Sequence, residues 1–147
     1  MAFKFSTELR KQQCFSGSLR SILDGSVIRV YEGPVPQSAD AAIAGDNGVL
    51  CEISAAGAGV TFEPTSSAPI LTKSLSEVWQ GDVLKSGRAT FFRVVKPADT
   101  GVNTTNEVRI QGTVGGPAED LTISSSELVQ GAPQRIEYFA IALLEYA

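Results

Sequence analysis

What acid–base chemistry this sequence could offer rests on carboxylates: Glu119 beside Asp120, and Asp40 with Asp46. Two acidic groups at short range can divide the roles of proton donor and acceptor, or hold a calcium ion. A calcium loop needs oxygen ligands at regular alternate positions. Neither pair sits in such a pattern, so both read as solvated loop carboxylates. Histidine is absent, which removes Ser-His-Asp and Cys-His nucleophilic sites and histidine-ligated metal centres. Cys14 and Cys51 read as thiols of a protein made in the cytoplasm, with one disulfide between them as the alternative.

Recognition of sugar is a second chemistry to weigh. Trp79, with Tyr31 and Asp82, carries the parts of a carbohydrate platform, an aromatic face beside a hydrogen-bonding carboxylate. Against it stands the reading that Trp79, the single tryptophan, fills the core of a β-rich domain. Asn103-Thr104-Thr105 has glycosylation spacing and reads as a polar loop. Gly112, Gly115 and Gly116 lack the spacing that cradles a nucleotide and read as turn or close-packing glycines. The sequence therefore predicts a non-enzymatic protein with no catalytic residue, metal or cofactor.

The elements that must position these residues are strands. From Gly87 to Gly115, the run Arg88–Lys96 places Ala89, Phe91, Arg93 and Val95 on one parity against Thr90, Phe92, Val94 and Lys96. In Glu107–Val114, Val108, Ile110 and Val114 oppose Arg109, Gln111 and Thr113. Period-two alternation around a polar connection predicts a hairpin or neighbouring sheet pair. Phe91 and Phe92 then face opposite sides of one strand, so one ring enters the core. The other must be covered by a second layer, a loop or another subunit.

Elsewhere the pattern predicts strands at Val27–Tyr31, Val49–Ile53, Val60–Phe62, Ile70–Leu75, Val78-Trp79, Leu121–Ile123 and Arg135–Leu144. Gly81-Asp82 reads as a turn, and Pro34–Gly48 as a long loop with a helical turn at Ser38–Ile43. Residues 1–25 are the only helical candidate, a short helix capped by Ser6 or Thr7 and a second turn at Leu19–Leu23. The whole predicts an all-β, single-domain β-sandwich or jelly-roll-like fold over residues 26–147, preceded by a short helix or arm. Hydrophobic residues make up 43% of the chain, enough for one core, and charged residues only 19%. A net charge of −4 with scattered basic residues argues against nucleic-acid binding. Met1–Gln13 lacks the apolar stretch of a secretion signal, and Phe139–Leu144 is too short to span a bilayer.

The order of motifs carries a resemblance. Phe5-Ser6-Thr7-x-Leu9-Arg10 is followed by Gly17-Ser18-Leu19-x-Ser21-Ile22-Leu23, Ile28-Arg29-Val30-Tyr31-x-Gly33 and Ala39-Asp40-Ala41-Ala42. Then come Gly87-x-Ala89-Thr90-Phe91-Phe92-Arg93, Arg109-Ile110-Gln111-Gly112-Thr113-Val114-Gly115 and Gly131-Ala132-Pro133-Gln134-x-Ile136-x-Tyr138-Phe139. Along nearly its whole length the chain resembles a family of small virion structural proteins of tailed bacteriophages and prophages. Gly116-Pro117-Ala118-Glu119 departs from a more Gly/Ser/Ala-rich turn in that family.

The resemblance implies a virion component assembled in the bacterial host cytoplasm, with no catalytic residue to carry over. The leading expectation is a capsid decoration or cement protein that binds the shell through repeated protein contacts. Its partners would be the major capsid protein or other virion proteins, and sister copies in a trimer or ring, with no nucleic acid or membrane. A neck, collar or tail component and a carbohydrate-binding β-sandwich are the alternatives. Expected interface residues are Phe3, Phe5, Leu9 and Phe15 on the N-terminal arm, with Phe91 and Phe92 on the sheet.

Overall fold

Alternation in Gly87–Gly115 builds the centre of a large sheet. The computed structural model of the chain describes residues 3–43, 47–116 and 119–142. Its elements are β1 (Lys4–Phe5), α1 (Thr7–Phe15), α2 (Leu19–Leu23), β2 (Val27–Tyr31), β3 (Val49–Ala55), β4 (Ile70–Thr72) and β5 (Trp79–Asp82). They continue with β6 (Gly87–Arg88), β7 (Phe91–Val95), β8 (Arg109–Gly115), β9 (Leu121–Thr122), β10 (Glu127–Leu128), β11 (Pro133–Ile136) and β12 (Ala140–Ala142). This is an all-β domain with a short N-terminal helix.

The main sheet runs β1-β8-β7-β2-β3-β5-β11, with β9 beside β8. Its pairs are antiparallel except β8–β9. Two ribbons, β4 with β12 and β6 with β10, complete the strands. The register Ile28↔Val94↔Ile110 puts an apolar row on the inner face. Opposite it lie Phe62, Leu128, Phe139 and Ile141, so the core sits between the main sheet and the ribbons. Rings meet edge-on there: Phe92 with Phe139 at 5.6 Å, Phe62 with Trp79 at 5.4 Å and Phe3 with Phe139 at 5.9 Å. Burial of each such side chain stabilises by about 1.5–3 kcal/mol. Gly112 is required beside them, because a Cβ would stand 2.8 Å from the Phe92 ring.

The N-terminal segment is part of this body. Lys4 and Phe5 pair with Gln111 and Ile110 of β8. Ser6, the N-cap of α1, accepts the Leu9 N–H at 3.3 Å and the Arg109 N–H at 2.9 Å, and donates to the Glu107 carbonyl at 2.8 Å. One hydroxyl thus ends a strand, starts a helix and ties both to β8. Leu9, Leu19, Ile22 and Leu23 join the core. Of the two readings of this segment, a docking arm and a short helix, the arm is corrected and the helix stands: the segment supplies an edge strand and core side chains.

Other boundaries moved for local reasons. Gly81 and Asp82 are not a turn but the end of β5; a Cβ on Gly81 would lie 2.0 Å from the Glu52 carbonyl oxygen, so glycine there marks close approach of strands. The strand expected over 135–144 is split. β11 ends at Ile136, and after Tyr138, 63% exposed, and buried Phe139 the chain crosses to pair with β4. Residues 143 and 144 lie outside the described part. Val60–Phe62 forms only isolated bridges, Ser26↔Val60 and Phe62↔Lys73. The expected helical turn at Ser38–Ile43 is absent, and those residues form turns and bends.

Leu9→Ala is expected to lower unfolding free energy by about 2–5 kcal/mol in urea titration. Deletion of residues 1–15 removes β1, the Ser6 cap and Leu9 together. It is expected to abolish the cooperative transition, whereas a detachable arm would leave the urea midpoint unchanged.

Candidate functional site

The polar parity of the central strands is buried. On β2, β7 and β8, Arg29 faces Arg93, Arg93 faces Gln111, and Val95 faces Arg109. Arg93, Arg109 and Gln111 are each at most 1% exposed. Two connections cover them, the strap from Gly33 to Ile43 and the loop from Pro97 to Asn106. Arg109 donates from Nε to Asp99 Oδ2 at 2.6 Å and from Nη2 to Oδ1 at 2.8 Å, a bidentate pair. Its other bonds go to the carbonyls of Ala39, Asp40 and Val102. Arg93 donates to Gln111 Oε1 at 2.9 Å and to the carbonyls of Ser38 and Ala41, and Gln111 donates to the Pro36 carbonyl at 2.8 Å. Backbone carbonyls of the strap thus solvate guanidinium groups that water cannot reach.

The strap also holds the first helix. Asp40 accepts the Thr7 N–H at 2.9 Å and the Thr7 hydroxyl at 2.5 Å. Burial alone would raise the Asp40 carboxyl, but these bonds hold it below the ordinary range. Burial likewise opposes ionised Asp99, and the Arg109 guanidinium, the Gly101 N–H and Arg29 outweigh it and lower its pKa. Arg93 has no carboxylate of its own. Burial, and then Arg109, brings its pKa down to about 10, and among the described residues its Nη1 has no hydrogen-bond partner.

Several expected site residues are accounted for by the fold. Trp79 is 0% exposed, with Nε1 donating to Glu77 at 3.0 Å, so it is a core side chain and not a sugar platform. Tyr31, 2% exposed, stacks on Phe91 with centroids 5.0 Å apart and planes 12° apart. Asp82 is exposed at the end of β5. Phe92 enters the core and Phe91 lies under Tyr31 beside the strap-covered face, both 0% exposed, so neither is available to another subunit. Leu9 is 0% exposed, and Phe3 and Phe5 pack against the core, so these three are corrected from interface to interior. Phe15 alone of the six stands out, at 83% exposed on the last turn of α1.

Of the acidic pairs, Asp120 accepts the Thr113 N–H at 3.0 Å and fastens β8 to the following turn. Asp46 lies outside the described residues, as do Pro117 and Ala118. The cysteines are unbonded, Cys14 exposed and Cys51 buried; burial, with Asp82 and Glu52 nearby, pushes the Cys51 thiol up to about 11.

Sequence reasoning missed the arginine face, whose visible signal was the shared parity of Arg29, Arg93 and Arg109 on strands that pair. It also missed a shallow cavity of about 540 Å³ beside that face, lined by Arg29, Tyr31, Glu52, Asp82, Thr100, Ile43, Val49 and Leu84. Tyr31 and Asp82 do converge there, without Trp79. Compared with known protein families, curated proteins and solved structures, the chain matches none.

Asp99→Ala leaves Arg109 buried without its partner and is expected to cost about 3–5 kcal/mol in chemical denaturation. The same pair sets a pH dependence. Carboxyl groups with lowered folded pKa values stabilise fully above the unfolded value, about 3.9 for Asp. That stability is lost as pH falls through the folded values of Asp99 and Asp40. Urea midpoints measured from pH 6 downward are expected to fall below about pH 4, with a shallower fall in Asp99→Asn.

Proposed function

We propose that this protein is a non-enzymatic structural component of a bacteriophage virion, most specifically a capsid decoration protein that strengthens the shell by surface contact. The motif order read from the sequence supports the family. The observation that carries the contact role is Phe15, a large aromatic side chain left 83% exposed on a helix whose Leu9 is locked into the core. Arg10, Lys11 and Cys14 are exposed on the same helix. A rigidly mounted aromatic is the kind of anchor that dominates protein interfaces.

Contact by faces and protruding side chains fits better than strand addition, because both ends of the main sheet are blunted. β1 is two residues long. β11 opens with Pro133, folds the Gln134 amide onto the Arg135 carbonyl at 3.1 Å, and carries an Arg135–Glu137 ion pair. An interface of standard size buries about 1,600 Å². Repetition on a symmetric lattice multiplies modest contacts into firm attachment.

Quantitative mass spectrometry of purified particles is expected to find on the order of hundreds of copies, as lattice attachment requires. A count matching one closed ring would reassign the protein to the neck or tail. Phe15→Asp should leave the unfolding midpoint unchanged, since the side chain is exposed, and weaken particle binding about thirtyfold. Full incorporation of that variant would remove Phe15 as the anchor.

A further inference from the structure

We propose that the open cavity on the outer face of β2, β3 and β5 receives a lysine or arginine side chain presented by a partner protein. Strand register creates the site. Arg29 stands opposite Glu52 across β2–β3. The pairs Ser54↔Gln80 and Cys51↔Val83 set Glu52 opposite Asp82 across β3–β5. Like charges facing each other across a sheet are destabilising unless a counter-charge joins them.

Arg29 does not serve both carboxylates. Its Nε donates to Glu52 at 2.8 Å, while Nη1 and Nη2 donate to the carbonyls of Asp99 at 2.6 Å and Pro97 at 2.9 Å. Among the described residues Asp82 forms no ion pair. The cavity therefore offers one uncompensated carboxylate beside a half-compensated one.

Its walls select the rest of the ligand. Val49, turned outward by a bulge in β3 at the Val30/Tyr31 step, is 37% exposed, and Leu84 is 59% exposed. A basic side chain lays its methylene stem along such apolar groups and sets its charged head among the carboxylates. A sugar would find no aromatic face, since Tyr31 is stacked on Phe91 and 2% exposed. An anion would meet Glu52 and Asp82. The chain as a whole also favours a basic partner. Arg93 and Arg109 are buried with only Asp99 as a buried carboxylate between them. The outside is thus more acidic than the net charge of −4 suggests.

The test is an NMR titration of the intact, isotopically labelled chain with acetyl-Gly-Arg-Gly-amide, with its citrulline counterpart and with methyl glucoside. Saturable shifts are expected at the amides of Glu52, Asp82 and Leu84 with the arginine peptide only. Asp82→Asn, a change at an exposed position, is expected to weaken binding at least about tenfold, the loss of one charged hydrogen bond. Leu84→Ser keeps both carboxylates and should weaken binding while retaining selectivity for arginine over citrulline. Equal binding of the citrulline peptide, saturation by the glucoside, or unchanged affinity for the arginine peptide in Asp82→Asn would each overturn the proposal. The assignment to a particle is tested separately by copy number, so either reading can fail without the other.

Discussion

A buried guanidinium cannot be left without acceptors, and that constraint organises this fold. The centre of the main sheet carries Arg93 and Arg109 on a face that water does not reach. A carboxylate is supplied for only one of them, through the bidentate Arg109–Asp99 pair. Most of the remaining donors are met by the Gln111 side chain and by carbonyls of the strap and of the loop that carries Asp99. The strap therefore has a fixed path for an electrostatic reason, although it has no regular secondary structure. Through Asp40 it fixes Thr7, and through the Gln37 carbonyl it accepts the Lys4 ammonium at 3.0 Å. Strand β1 and helix α1 are held on their outer side by the same segment that caps the arginines.

Much of the sheet was legible because alternation is a local property. The parities of Arg88–Lys96 and Glu107–Val114 separated the two faces of β7 and β8, and the strand read over Val27–Tyr31 is β2. Helix α1 was legible from its cap, and Ser6 occupies that position. What alternation does not state is what covers each face. Arg109 and Gln111 sit on the polar parity of β8, which ordinarily faces water, and Arg93 shares a parity with Ala89, Phe91 and Val95. Their burial depends on carbonyls that every residue carries, so the strap sequence holds no special signal for it. The same blindness applied to the N-terminus, where sparse apolar spacing suggested an arm. Leu9 in the core, Ser6 bridging to Arg109 and Glu107, and Thr7 on Asp40 seat the helix together.

Gly81 and Trp79 misled in opposite ways. Glycine before aspartate resembles a turn, but here glycine lets two strands approach where a Cβ would meet the Glu52 carbonyl. Trp79, two residues earlier on the same strand, carries chemistry that fits a sugar site, yet it points to the other face and closes the core against Phe62. Asp82 shares the outer parity with Gln80, and its neighbour Glu52 comes from a strand distant in sequence. Their meeting depends on the order β2-β3-β5, which pattern reading does not give.

Closure of the interior and availability of the exterior are linked in this architecture. The strap and its companion loop cover the outer face over β8, β7 and β2, and Ile43 of the one and Thr100 of the other line the cavity. Beyond them the outer face over β3 and β5 is open, carrying Ser54, Gln80, Glu52 and Asp82. Arg29 stands at the boundary, with two nitrogens under the loop and one on Glu52. Through Arg29 the loop that carries Asp99 and the carboxylate of Glu52 on the open face share a single guanidinium. The open face is therefore joined to the closed one at Glu52, and a contact made there is braced through Arg29 by the loop that carries Asp99.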